Sequence, residues 1–183
     1  NSIVKTMDGH STVEMMEYNS TVEKMCDCST VEEMHDSSVV KEMYGYSAVK
    51  EMYGHSTVEK MDGYSTVGGM HGSSTVETLD YYSTVEVMYD NSIVKTMDGH
   101  STVEEMCGSS TVETMCYCST VEVMCVNSVV KTMYGYSMVK VMCGNSTVEE
   151  MYDKSTAKDY RTNTIYLSGQ SGQSGDWKLV AKG

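Results

Sequence analysis

The chain repeats one pattern of apolar and polar positions every nine residues. Cut from Asn1 it reads NSIVKTMDG, HSTVEMMEY, NSTVEKMCD, CSTVEEMHD, and it continues in this way through eighteen copies to about Thr162. Ser holds the second place of all eighteen units, Val the fourth in seventeen (Ala157 is the exception) and Met the seventh in sixteen, with Leu79 and Tyr160 in its stead. These three columns are the candidate interior.

A helix cannot use this pattern. Nine residues advance about 900° around a helix, which throws the Val and Met of successive units onto opposite sides. Ser-Thr-Val favours extended chain, and the Gly and Asp that close most units favour turns. In a strand, places two and four share one face and places three and five the other. Ser and Val then point inward, and Thr and the Glu or Lys of place five point to water. Met at place seven is out of phase with this alternation, so each strand must be short and bent after place five. The predicted class is all-β, a parallel β-solenoid of stacked short strands.

Place one sets the length of a coil. In odd units it runs Asn1, Asn19, Ser37, His55, Ser73, and in even units His10, Cys28, Tyr46, Tyr64, Tyr82. Small polar residues alternate with large or reactive ones, so two units make one coil of eighteen residues. Place five of the odd units supports this: Lys5, Glu23, Lys41, Glu59, Glu77, Lys95, Glu113, Lys131 and Glu149 set opposite charges against each other at nearly every step. Nine to ten coils would rise roughly 43–48 Å at ~4.8 Å per coil. A longer period lies above this one. NSIVKTMDGHSTVE recurs at Asn91, ninety residues after its first appearance, and C-x-C, SVVK and YGY follow in the same order in both halves. The expected organisation is a solenoid over 1–162 built from two duplicated blocks, followed over 163–183 by a degenerate repeat, a Ser/Gly link and a closing strand. Trp177, Leu179 and Val180 are the expected lid over the last coil, and the first coil shows no cap.

Composition narrows the functional classes. The chain has 183 residues, no Pro, no Phe, 18 Met, 14 Tyr and a net charge of -13. That charge argues against nucleic acid as a direct ligand and leaves open an acidic surface that competes for a DNA-binding partner. There is no run of eighteen apolar residues to span a membrane. No signal peptide is visible, and a start in mid-pattern without Met fits a fragment or a processed product. N-S-T sequons open at Asn19 and Asn145, which the repeat produces readily.

The residues that carry chemistry sit at the corners. In the stack, Asp8 and His10 fall above Cys26 and Cys28, and Asp98 and His100 above Cys116 and Cys118. Two thiols, an imidazole and a carboxylate are ligands that Zn accepts, with bonds of roughly 2.0–2.3 Å. The alternative is a drifting turn: Asp, Gly, His, Tyr, Asn, Ser and Cys can all be written with codons of the form NAT or NGT, so the variable corners fit single-base wandering from one ancestral codon. Cys107, Cys125 and Cys143 are spaced by eighteen and form a column on the other corner. Their Cα spacing suits a disulfide, but parallel Cβ vectors oppose it, and reduced thiols are expected. Tyr46, Tyr64 and Tyr82 should stack, stabilising the corner by ~0.5–1.5 kcal/mol per pair. No Ser-His-Asp or His-x-x-x-His grouping supports an enzyme.

Three resemblances bear on function. The nine-residue period with two units per coil resembles the RTX β-roll, but the GGxGxD that would bind Ca²⁺ is absent. Thr at twelve of eighteen third places resembles the insect β-solenoid antifreeze proteins, which implies ice binding by a Thr face, although each Thr here neighbours Glu or Lys. In acidity and coil shape the chain is similar to pentapeptide-repeat proteins that imitate DNA. The expected function is a non-catalytic scaffold or protein-interaction module, with self-association through the uncapped first coil. Ice binding, a metal-binding corner and an acidic DNA mimic are the alternatives.

Overall fold

In the computed structural model, which describes residues 2–168 and the backbone of 177–182, the chain is an all-β parallel solenoid of nine coils with eighteen residues each. Every unit contributes one strand, over places three to seven in the first seventeen and three to six in the last, beginning with β1 (Ile3–Met7) and β2 (Thr12–Met16) and running to β17 (Thr147–Met151) and β18 (Thr156–Asp159). The odd-numbered strands form one nine-stranded parallel sheet and the even-numbered ones the other. Register is strict: Val22 pairs with Val4 and Met25 with Met7, and the same pairing repeats along the stack.

The interior is the three columns read from the repeat. Val58, Met61, Val67 and Met70 are fully buried, as are the serines from Ser29 to Ser155. In a typical strand, such as Thr57–Met61, place four is buried, place five exposed, place six half-buried and place seven buried again. Two outward residues in succession mark the bend after place five that the out-of-phase Met requires.

Corners close on place nine. From Gly9 to Asp153 every ninth place has a positive φ, between 52° and 73°. Glycine takes this left-handed conformation without penalty, whereas Val126, at φ 57°, holds it as a β-branched residue against its preference. Gly144 is needed for a second reason, since a Cβ there would lie 2.6 Å from the Val126 backbone nitrogen one coil below. Backbone hydrogen bonds run through the corners as well as the strands. The place-eight amide of Cys26 donates to the Met7 carbonyl and the place-one amide of Cys28 to the Gly9 carbonyl, at 2.9 and 3.1 Å.

The outer faces carry charge ladders between neighbouring coils. Lys41 meets Glu23, Lys95 Glu77 and Lys131 Glu113 on one face, and Lys50 meets Glu32 and Lys140 Glu122 on the other. These pairs are about half exposed, so each adds well under about 1 kcal/mol; they set register more than stability.

The last coil departs from the rest. Repeat alignment puts Tyr160 in the seventh, interior place, but the structure corrects this: Met142 of β16 (Met138–Met142) faces Asp159, one residue earlier. The register slips by one between Val139 and Met142, Tyr160 turns out to solvent, and Asp159 occupies the buried Met place at 4% exposure. Arg161 neutralises it with two hydrogen bonds, Nε to Oδ1 at 3.0 Å and Nη2 to Oδ2 at 2.9 Å. After this slip the parallel winding stops. β19 (Thr164–Ser168) pairs antiparallel with β18, and β20 (Trp177–Lys182) antiparallel with β19. The link over 169–176 and the side chains of Trp177, Leu179 and Val180, expected as the lid, lie outside the described residues.

Candidate functional site

The corners hold the reactive side chains, and the backbone explains many of them. Places eight and one donate their amides to the coil below, which leaves the place-nine amide without a backbone acceptor. Aspartate supplies one. At place eight it accepts from its own turn: Asp8 from Gly9 at 2.9 Å, and Asp62, Asp80 and Asp98 from Gly63, Tyr81 and Gly99 at 2.6 Å each. At place nine it reaches to the neighbouring coil, as Asp36 does to Tyr18, Asp90 to Gly72 and Asp153 to Gly135. This is ordinary Asx chemistry at turns, repeated along a stack.

Asp8 and Asp98, two of the candidate Zn ligands, are therefore engaged by turn amides. Cys26 and Cys116, at place eight, are half-buried, while Cys28 and Cys118, at place one, are exposed. His100 stacks on Tyr82 with ring centroids 5.2 Å apart and planes 7° from parallel, and His10 stands exposed in the first coil. Burial first, and the Asp98 carboxylate second, push the Cys116 thiol up. Among the described residues no group of three or more His, Cys, Asp or Glu is placed to hold a metal ion.

Two four-ring aromatic stacks run along the corners, and Tyr134 and Tyr152 make a further stacked pair at 5.0 Å. Tyr46, Tyr64, Tyr82 and His100 form one, with centroids 5.2–5.3 Å apart. His35, Tyr53, His71 and Tyr89 form the other at 4.8–5.0 Å. The second went unrecognised in the sequence, although place eight of the even units spells it at eighteen-residue spacing. Glutamates back it: Glu33 contacts His35 Nε2 at 2.8 Å and Glu51 contacts His71 Nε2 at 3.0 Å. Glu51 reaches His71 because Gly69 lies between them, and a Cβ on Gly69 would meet the Glu51 carboxylate. In both stacks the rings cover each other's faces.

The same column continues past Tyr89 as Cys107, Cys125 and Cys143, all half-buried thiols. Cys107 donates to Glu105 at 3.1 Å, and Cys125 and Cys143 face each other with sulfurs 2.6 Å apart. Burial, and then the Glu105 hydrogen bond, push the Cys107 thiol up to about 11. Compared with known protein families, characterised proteins and solved structures, the chain matches none.

Proposed function

We propose that the chain is a non-catalytic scaffold that associates with protein, foremost with a second copy of itself, through the open face of its first coil. The observation that carries this reading is the asymmetry of the stack. Ile3 is 68% exposed, Met15 52% and Tyr18 69%, and a depression of about 320 Å³ lined by Val4, Val13, Met16 and Val22 opens onto the core there. Among the described residues β1 and β2 have no neighbour on their outer side, and apolar edge strands are templates for pairing. At the other end of its sheet, edge strand β17 exposes Glu149 and Glu150, charges that oppose such pairing.

Charge favours a second copy. Lys5 and Glu14 hold place five of β1 and β2. A two-fold partner that sets its β1 along β2, centred on that place, brings Lys5 against Glu14 twice in one self-complementary interface. Sedimentation equilibrium of the full chain should show a concentration-dependent dimer, and Ile3→Lys with Met15→Lys should shift it to monomer while circular dichroism stays unchanged. A wild-type chain that remains monomeric at all concentrations, or a double variant that dimerises as well as wild type, overturns the reading.

A further inference from the structure

Near the C-terminal end of the stack, two thiols from neighbouring coils meet. Cys125 closes coil seven (109–126) and Cys143 closes coil eight (127–144), both at place eight of an even unit. Their backbones are joined in register, with the Cys143 amide on the Met124 carbonyl at 2.8 Å. Coils in a parallel stack lie ~4.8 Å apart, inside the Cα range of about 4.4–6.8 Å that a disulfide spans. In-register Cβ vectors oppose such a bond, and here the side chains overcome that by turning toward each other. Their sulfurs stand 2.6 Å apart, about half an ångström beyond an S–S bond. Cys107, one coil earlier, turns instead to Glu105 at 3.1 Å.

We infer that Cys125 and Cys143 are a disulfide-forming pair that staples coil seven to coil eight when the chain meets a small-molecule disulfide oxidant. The step balances as an exchange. One cysteine thiolate attacks the oxidant R–S–S–R, forms a mixed disulfide and expels one R–S⁻. The second thiolate then attacks the protein-side sulfur, forms the Cys125–Cys143 bond and expels the other. Two protons leave the cysteines, and the oxidant is reduced to two R–SH.

The staple lies where the stack loosens. The register slip falls between Val139 and Met142, and core exposure rises from zero in the middle to 8% at Met151. Tying coil eight to coil seven resists unwinding from this end. The hydrogen bond with Cys143, and then burial, push the Cys125 thiol up to about 12. The charged and titratable groups acting on the pair are Cys107, Glu105 and, on the Cys143 side, the Arg161 guanidinium.

The test uses the full chain, reduced and then incubated with oxidised glutathione at mildly alkaline pH, where more thiolate forms. In wild type and in Cys107→Ser, Cys125 and Cys143 should lose their titratable thiols together, with two hydrogens lost and no glutathione on the peptides that carry them, whatever the exposed Cys28 and Cys118 take up. Peptide fragmentation should join Cys125 to Cys143, and proteolysis of coils eight and nine should slow several-fold until a reductant restores it. Cys143→Ser should lose no such pair. Glutathione adducts accumulating separately on Cys125 and Cys143, a bond from Cys125 to Cys107, or cross-linking only between chains would overturn the inference. The wild-type peptide map decides this even if a variant fails to fold.

Discussion

The middle coils and the last coil are made from the same nine-residue unit and differ by one residue of register. In the middle, Val58, Met61, Val67 and Met70 sit fully buried between sheets whose strands pair place for place. In the last coil the slip between Val139 and Met142 brings Asp159 to a buried Met place, where Arg161 must neutralise it. Arg161 also donates to the Gly144 and Ser146 carbonyls, at 2.5 and 3.4 Å, so one side chain ties the slipped coil to the turn before it. A solenoid with an apolar interior accepts a charge only where its winding stops and a partner can reach it from outside.

The largest effect should come from putting a charge where no partner can reach. Val67→Asp leaves a carboxylate among fully buried Val and Met, at a cost of at least ~3 kcal/mol. Val148→Asp, at a half-buried position near the slipped C-terminal end, leaves the carboxylate a path to water and should cost about 1 kcal/mol. Chemical denaturation compares the two, and equal costs would erase the distinction between middle and end.

A second, smaller effect belongs to the end alone. Asp159 is held below its ordinary value of 3.8, first by the side-chain hydrogen bond from Arg161. A carboxyl lowered in the folded state contributes its full stability above its unfolded value and loses it as pH falls through the folded one. Amides of 156–168 should therefore lose exchange protection on acidification below about pH 4, ahead of those in 57–70. Asp159→Asn should remove that acid-side step and cost about 1.5–2 kcal/mol at neutral pH. Retention of the step in the variant would show that other carboxylates cause it.

The middle was legible in the sequence because every level agreed there. Val67 and Met70 repeat at fixed places, Ser and Thr flank them at strand spacing, and a Gly or Asp at place nine announces most turns. The coil length followed from places one and five, since only a two-unit coil sets Tyr46 beside Tyr64 and Tyr82 and Lys95 beside Glu77 and Glu113. The slip was hidden because it depends on which backbone register the last strand adopts. A nine-residue ruler puts Tyr160 inside, and only the pairing of Met142 with Asp159 shows otherwise. The corner chemistry was half legible. Asp8 and Asp98 are turn formers by residue type alone, but Cys26 and Cys28 read as a ligand pair until the backbone separates them into two columns with a left-handed residue, Asp27 at φ 54°, between. The approach of Cys125 to Cys143 depends on rotamers, which no repeat column encodes.

The smallest effect concerns the residue that never varies. Fourteen interior serines, Ser65 among them, have a buried hydroxyl with no hydrogen-bond partner. In the last coil, by contrast, Ser155 donates to the Tyr152 carbonyl at 2.8 Å and lies 3.4 Å from the Ser168 hydroxyl. A buried hydroxyl without a partner gains nothing to offset its lost hydration, whereas a bonded one contributes about 1 kcal/mol. Ser65→Ala should thus be neutral or stabilising by up to about 1 kcal/mol, and Ser155→Ala should cost about that much. The hydroxyl of Ser83, which reaches the Asp80 carbonyl three residues back at 2.5 Å, shows the bond that Ser65 would make after a rotation about χ1. If Ser65→Ala costs as much as Ser155→Ala in denaturant melts, the middle serines donate to their turn carbonyls in solution as the end serine does. The serine column would then be uniform along the stack, and only the apolar columns would distinguish middle from end.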